Sequence, residues 1–534
     1  MLVYGDQREM ADPSVRLTTI EGDLALVASM PAGLERHAKL VGALIEAGRL
    51  LQGAADAGLD CKPLKQLVHA LAEAVVQSVD SGFRALGEMP PVPAIDVPGP
   101  LELRVPEGYA FYALYPEAYV AAARKLKLAA PPRVIGIRSI GTSLGAVVAA
   151  ALGAPPALSV RPFGDPFARQ VALPASEIEL NAHYVIVDEG PGLSGSSFGA
   201  VADALEAQGV SPDRIAFLPS HGGEPGAKAS KRHRARWSTA QRVTAEFDPQ
   251  FLIERFGALE PFSRGGPWER LKFHAQDDEG RLLLKFAGLG AIGERKLEMA
   301  RALHAQGFTP EPLALVHGFL VERWHEDALP LGREDRPVVE IGQYIGTRAR
   351  MFPAADGSGA GLRELLAMCR RNLSLAVGED AARAIERWAA RLDGLRLQPV
   401  RTDNKVDREE WLRLPGGALL KTDAVDHHCG HDLIGCQDMA WDIAGAIVEF
   451  GLGDEETRRL VDAAAFASGR APSPALIHFC RIAYCCFRLG QATLTAELRG
   501  GAAAESDIKR YKTAVIPLLF DDYCCFSWLE SSVD

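Results

Sequence analysis

The stretch Tyr184-Val-Ile-Val-Asp188-Glu189-Gly-Pro-Gly192-Leu-Ser194-Gly195-Ser196-Ser197-Phe198 decides the reading of the first half of the chain. Its β-branched and aromatic run predicts a buried strand, two adjacent carboxylates end it, and a small, hydroxyl-rich loop follows. Val201 and Leu205 then continue at helical spacing, with Gly209 placed as a C-cap. Gly192 and Gly195 let backbone N–H groups approach an anion. Ser194, Ser196 and Ser197 add hydroxyl donors, and the positive end of the helix favours negative charge. A phosphate cradle is the expectation. Asp188 and Glu189 would repel phosphate, so they are expected to accept hydrogen bonds from sugar hydroxyls or to hold a hydrated magnesium ion.

A second unit of the same kind lies upstream, in Arg133-Val-Ile-Gly-Ile-Arg138-Ser139-Ile-Gly141-Thr142-Ser143-Leu-Gly145. It also reads strand, tight loop, helix. Arg138 supplies charge, Gly141 permits an unusual backbone angle, and Ser139, Thr142 and Ser143 supply donors. Between the two units, Arg161-Pro-Phe-Gly-Asp165-Pro-Phe-Ala-Arg169 is turn-rich and carries two arginines, as a lid over a polyanion should. In this order the units resemble type I phosphoribosyltransferases, whose usual motif is two acidic residues followed by Thr-Thr-Gly-Gly-Thr. Leu193 and Ser194 depart from that pattern, while Gly195 and Ser196 fit it. The resemblance implies a parallel α/β sheet with a helical hood, and PRPP with Mg2+ as its ligands. Residues 192–197 would then hold the 5′-phosphate, the loop at Arg138, Ser139, Gly141 and Thr142 would hold pyrophosphate, and Asp188 and Glu189 would act catalytically on the ribose.

At 534 residues the chain predicts two or three domains, and 48% hydrophobic with 24% charged residues is the composition of an ordinary globular protein. A formal net charge of −11 argues against broad nucleic-acid binding. The apolar stretch 140–160 is interrupted by Gly and Pro and reads as a buried α/β element, so no membrane partner is expected. The N-terminus lacks a basic region followed by an apolar core, and the nine cysteines, Cys485-Cys486 and Cys524-Cys525 among them, follow no regular framework. Reduced thiols in a cytoplasmic protein are expected. Residues 31–85 read as helices that serve either as a hood over the acceptor or as a packing or dimerisation element. The aromatic run Tyr109, Phe111, Tyr112, Tyr115 and Tyr119 reads as core or as a stacking platform for a planar base. The basic run Lys228 to Arg236 reads as a solvated linker or lid, or alternatively as a contact for phosphate or RNA, and a boundary is placed near residues 225–260.

Past that boundary, residues 269–286 read as a β-hairpin turning at Asp277-Asp-Glu-Gly280, with Lys285 near its end and Glu294 and Glu298 on the helix that follows. Arg401-Thr-Asp403-Asn404-Lys405, then Leu419-Leu-Lys421-Thr-Asp423, then Asp438-Met-Ala-Trp441-Asp442 follow in order. This half resembles the protein-kinase-like fold of aminoglycoside and choline phosphotransferases. The resemblance implies ATP bound by Lys285 with Glu298 as its orienting partner, Asp403 as catalytic base or acceptor orienter, Asp423 as the metal ligand and Asp442 as a buttress. The usual His-Gly-Asp is Arg-Thr-Asp here, and no Asn stands about five residues after Asp403. Asp426 to Cys436, rich in His and Cys, fits a substrate-binding or magnesium-adjacent loop better than zinc.

The fold expected is therefore α/β: a phosphoribosyltransferase-type parallel sheet with a helical hood over 1–245, then a bilobal kinase-like α+β domain over 246–534. The expected function is bifunctional, combining phosphoribosyl transfer from PRPP to a small-molecule acceptor with ATP-dependent phosphorylation of a small metabolite. The alternative is a sensor in which ligand binding to one degenerate domain controls the other. A homodimer is the partner left open.

Overall fold

The computed structural model describes residues 1–5, 8–95, 97, 99–263 and 269–520. β1 (Arg8–Ala11) pairs antiparallel with β2 (Leu101–Arg104), and between them run α1 (Pro13–Ser29), α2 (Leu34–Asp56) and α3 (Lys62–Asp80). After α4 (Glu107–Phe111) and α5 (Pro116–Ala123) the chain builds an alternating unit. This unit consists of β3 (Pro132–Ile137), α6 (Gly141–Ala151), β4 (Leu158–Val160), the hairpin β5 (Phe163–Asp165) and β6 (Ala168–Gln170), β7 (His183–Val187), α7 (Ser196–Ala207), β8 (Ile215–Leu218), α8 (Lys231–Thr239) and β9 (Gln241–Arg242). Strands β4-β3-β7-β8-β9 form one parallel sheet in that order. All five residues of β7 are buried, as a strand covered on both faces requires.

The strand order reverses between β3 and β7. Connections after β3 go to one side of the sheet and later ones to the other, so the carboxyl ends of these two strands open a crevice at a topological switch point. Residues 139–141 and 188–195 are the loops that line it. The turn after β3 is tight: a Cβ on Gly136 would stand 1.7 Å from the carbonyl oxygen of Gly141, so only glycine fits there. Gly195 caps α7 at φ +64°, a left-handed angle glycine adopts without strain.

After α9 (Gln250–Phe256), strands β10 (Glu260–Pro261), β11 (Lys272–Asp277), β12 (Gly280–Phe286), β13 (Pro312–Val316) and β14 (Phe319–Arg323) form an antiparallel sheet in the order β10-β11-β12-β14-β13. The helix α10 (Ala291–His304) crosses between β12 and β13. The hairpin lies where the sequence places it, with Lys285 one residue from its end. A small sheet of β15 (Leu329–Pro330), β16 (Trp411–Arg413) and β17 (Leu419–Lys421) sits in a helical lobe. That lobe contains α11 (Val338–Met351), α12 (Leu362–Ala376), α13 (Glu379–Ile385), α14 (Trp388–Leu392), α15 (Ala440–Phe450), α16 (Asp454–Ser468), α17 (Pro474–Arg499) and α18 (Ala502–Phe520).

Three expectations change here. The division at residue 245 falls inside a continuous apolar core, because Leu44, Leu67 and Val147 belong to one buried cluster with Phe273, Leu284 and Phe319 of the antiparallel sheet. The first five residues belong to the helical lobe: Val3 is in its core and Leu2 N–H donates to Asn372 Oδ1 at 2.7 Å. The basic run is no linker. From Lys231 it forms α8, whose Arg236 pairs with Asp203 at 2.6 Å and with Glu206 at 2.8 Å on α7, while Trp237 stacks on Phe217 at 5.4 Å and meets Phe198 edge-on at 5.3 Å. Helices α1 to α3 are a packed layer of the core and not a detached hood. Cys485 and Cys486 are free thiols buried in the lobe, whereas Cys524-Cys525 lie outside the described residues.

Candidate functional sites

The first site is the crevice at the ends of β3 and β7. Asp188 and Glu189 leave the sheet side by side and half-buried. Burial pushes the Asp188 carboxyl up to about 7, against the pull of Arg169 and Arg161. It pushes Glu189 up to about 8, with Asp188 and Glu107 adding like charge. Paired acids in this state gain from a divalent cation or from hydroxyl donors of a ligand. Ser194 and Ser196 are buried in the loop, and their hydroxyls are already engaged. Ser196 Oγ donates to the Pro166 carbonyl at 2.8 Å, and Ser194 Oγ to Ser196 Oγ at 2.9 Å. The turn of the β5–β6 hairpin thus lies over the cradle, as a lid would. Gly192 and Ser197 sit at its open side.

On the β3 side, Thr142 Oγ1 is buried with no partner, a donor held at the first turn of α6. Arg138 is placed differently from the expectation. Its guanidinium turns to Ser159, donating through Nε to the hydroxyl at 3.1 Å and through a terminal nitrogen to the carbonyl at 2.8 Å, and to Asp56 at 2.9 Å. Arg161 also reaches Asp56, with Nε 3.2 Å from each carboxylate oxygen, and donates to the Arg138 carbonyl at 3.0 Å. A carboxylate from the end of α2 therefore stands between two arginines beside the loop. Those arginines lower the Asp56 carboxyl even though burial raises it. Neither the spacing nor the composition of α2 announces this contact.

The second site lines a cavity of about 650 Å³ between the antiparallel sheet and the helical lobe, with Lys285, Glu322, Asn404, Asp423, Asp426 and His427 on its walls. Lys285 is buried and ion-paired to Asp423 and Asp426, each at 2.8 Å, and Lys296 from α10 reaches the other oxygen of Asp426 at 2.7 Å. Burial alone would lower the Lys285 ammonium, but Asp423 and Asp426 raise it well above its usual value. Burial opposes ionisation of Asp423 as well, and Lys285 and His427 overcome it. Asp423 holds φ +59° and Asn404 φ +65°, uncommon angles for residues other than glycine. Asn404 Oδ1 is buried without a hydrogen-bond partner in the lining of the same cavity as Asp423, where it offers a neutral oxygen to a cation.

Glu298 does not orient Lys285. It is exposed on α10, where Ile292, Lys296, Met299, Ala300 and Leu303 make the buried stripe. That stripe is legible at helical spacing and puts Lys296, not Glu298, toward the site. Lys296 is the residue at this cavity that sequence reasoning did not single out, and Asp426 entered it only as a member of the His- and Cys-rich segment. Asp403 is present but locked. Its carboxylate accepts from the Tyr344 hydroxyl and lies 3.3 Å from Lys421 Nζ, and Lys421 and Arg348, with His427, hold its carboxyl far below the usual range against burial. Asp442 accepts the backbone N–H groups of Asp403 and Asn404 at 2.8 Å each. Burial and the neighbouring Asp403 push it up to about 6. Of the segment 426–436, His427 joins Asp403 and Glu410 in a cluster of candidate ligands; no cluster combining its cysteines and histidines occurs among the described residues.

The two sites share one short helix. Gly108 N–H at the start of α4 donates to Glu189 Oε1, and Tyr112 at its end places its hydroxyl 3.4 Å from His431 Nε2, on the rim of the cavity. Of the aromatic run, Tyr109, Phe111, Tyr115 and Tyr119 are core, and Tyr112 alone is exposed.

No protein-family model matches the chain, and no curated protein is similar to it. Among solved structures, the choline kinase LicA from Streptococcus pneumoniae is 18% identical over 51% of this chain and 96% of its own, at a TM-score of 0.37. A choline/ethanolamine kinase family protein from Mesorhizobium loti is 18% identical over 50% of this chain and 89% of its own, at 0.37. A spectinomycin phosphotransferase in complex with ADP and spectinomycin is 12% identical over 51% of this chain and 97% of its own, at 0.35. These values describe a likeness in outline over about half of the chain. No helix among the described residues is long and apolar enough to cross a membrane.

Proposed function

We propose that the chain is a two-site transferase: a small-molecule phosphotransferase in the cavity at Lys285, and a PRPP site in the crevice at Asp188. The observation that carries the first is a buried lysine paired to two carboxylates from one loop, beside an unpartnered amide oxygen, on the wall of a cavity large enough for a nucleotide. In this reading Lys285 turns from the carboxylates to ATP phosphates, and Asp423, Asp426 and Asn404 supply oxygens to magnesium. That ion neutralises charge on the transferred phosphoryl group. The γ-phosphoryl group passes to an acceptor hydroxyl and ADP leaves. Catalysis is then positioning and electrostatics.

At the second site, Thr142, Ser196, Ser197 and the first turn of α7 hold phosphate groups while Asp188 and Glu189 take the ribose hydroxyls. Transfer breaks the bond from C1 to pyrophosphate as an acceptor attacks. The location at a strand-order reversal supports this reading. Because α4 touches both sites, the ribosylated product is a fitting substrate for the phosphotransferase.

A specific arrangement favours a second reading, that of a sensor. Asp403 is tied to Lys421 and Tyr344, and Arg408 stands where an Asn would be expected. Incubating the protein with PRPP, ATP, magnesium and a metabolite extract, followed by mass spectrometry, separates the two. A phosphoryl or phosphoribosyl mass increment that depends on Asp423 or Asp188 supports the enzyme. Calorimetric binding of either ligand with no increment supports the sensor.

A further inference from the structure

Away from both sites, three side chains from remote parts of the chain meet at one point. His37 comes from α2, Glu117 from α5, and His317 from the turn between β13 and β14. His37 Nε2 and His317 Nε2 each lie 2.6 Å from the same carboxylate oxygen, Glu117 Oε1. Both histidines are buried, and Glu117 Oε2 is buried with no hydrogen-bond partner. No lysine or arginine pairs with Glu117 among the described residues, so a buried carboxylate faces two imidazoles with no fixed cation beside it.

The supports of the cluster are those of a ligand set. His37 Nδ1 lies 2.9 Å from Ser78 Oγ, which fixes the ring and leaves Nε2 for the cluster. The backbone oxygen of His317 accepts from Tyr115 Oη at 2.7 Å, which anchors the turn from the other side. The turn itself has positive φ at both residues, +42° at His317 and +92° at Gly318. Asn-Gly meets such angles with least strain, yet a histidine stands first. The Glu117 side chain is 19% exposed, so the cluster lies just beneath the surface.

The geometry points to a zinc site formed by His37 Nε2, Glu117 and His317 Nε2, joining the N-terminal helical layer to the antiparallel sheet. The three ligand atoms all lie within 4.8 Å of one another, and the 2.6 Å between Glu117 Oε1 and each ring nitrogen has to open by under 1 Å to reach the roughly 3.4 Å that separates donors held about 2.0–2.2 Å from a tetrahedral ion. Two neutral imidazoles and one carboxylate suit zinc better than magnesium or calcium, which prefer all-oxygen shells. Zinc supplies the positive charge that Glu117 lacks. Its role is to staple two elements that share a core, and it is independent of both proposed activities.

The test uses the full chain, stripped with a chelator and titrated with zinc ion alone against a chromophoric competitor. One equivalent should bind, with a rise in melting temperature. Glu117→Gln and His317→Gln, which keep side-chain size, should each weaken zinc binding by about tenfold or more. X-ray absorption of the loaded parent should show two imidazole ligands in the first shell. Should the parent take up no zinc, or should both variants bind it as tightly as the parent, the site would be a hydrogen-bonded triad and the inference overturned. If circular dichroism shows that the variants misfold, the absorption spectrum decides: a first shell without histidine overturns the inference.

Discussion

The crevice at Asp188 and the cavity at Lys285 handle buried charge in opposite ways. In the cavity, Lys285 and Lys296 face Asp423 and Asp426 at hydrogen-bond distance. In the crevice, Asp188 and Glu189 stand together, their carboxyls raised by burial, while the nearby arginines Arg138 and Arg161 are occupied by Asp56. One site is charge-compensated and must exchange partners to bind a ligand. The other is uncompensated and gains a partner when it binds. The difference predicts that removing a residue from the cavity costs stability first, and removing one from the crevice costs affinity first.

The largest effect should follow from Lys285→Met. It leaves Asp426 buried with one cation where it had two, and breaking such a pair costs about 3 kcal/mol or more. Chemical denaturation should show a lowered midpoint; an unchanged midpoint would mean that the pairs contribute no net stability. Next, Ser196→Ala removes a donor to a charged phosphate, worth roughly 1.5–3 kcal/mol, so PRPP affinity by calorimetry should fall about tenfold or more. An unchanged affinity would remove Ser196 from the cradle, where its bond to Pro166 would be its whole role.

How much of this was legible depends on whether the signal was local. The units around Asp188 and Arg138 follow from short apolar runs and glycine-rich turns, each complete within about fifteen residues, and the hairpin at Lys285 and the strand before Asp423 read the same way. Asp426 was in view only as a member of a His- and Cys-rich segment, because its partners Lys285 and Lys296 lie more than a hundred residues away and no spacing connects them. Lys296 was recoverable from the buried stripe of α10. The contact of Asp56 with Arg138 and Arg161, the place of Val3 in the helical lobe, and the core shared across residue 245 depend on tertiary packing, which periodicity does not encode.

The pH response sharpens the comparison. Asp188 and Glu189 titrate near 7 and 8 in the folded chain and near the ordinary carboxylate range when unfolded. Between those limits the folded state binds more protons, so their contribution to stability falls as pH rises toward 8. Melting temperatures from pH 5.5 to 8.5 should decline more steeply in the parent than in an Asp188→Asn, Glu189→Gln variant. Parallel curves would mean that the acids titrate normally. The smallest effect is expected from Asp56→Ala. It frees Arg138 and Arg161 from a half-exposed pair worth up to about 1 kcal/mol, so pyrophosphate should bind a few-fold tighter. Weaker binding would show that Asp56 positions the arginines instead of competing with the anion.

The central claim, that one chain holds two separate anion sites, is tested most directly by thermal-shift titration of Asp423→Ala with Mg-ATP and with PRPP. The variant should lose its response to Mg-ATP and keep its response to PRPP, since Asp423 lies on the cavity wall and takes no part in the crevice. An Asp423→Ala protein that responds to Mg-ATP as the parent does would contradict the phosphotransferase reading of the cavity.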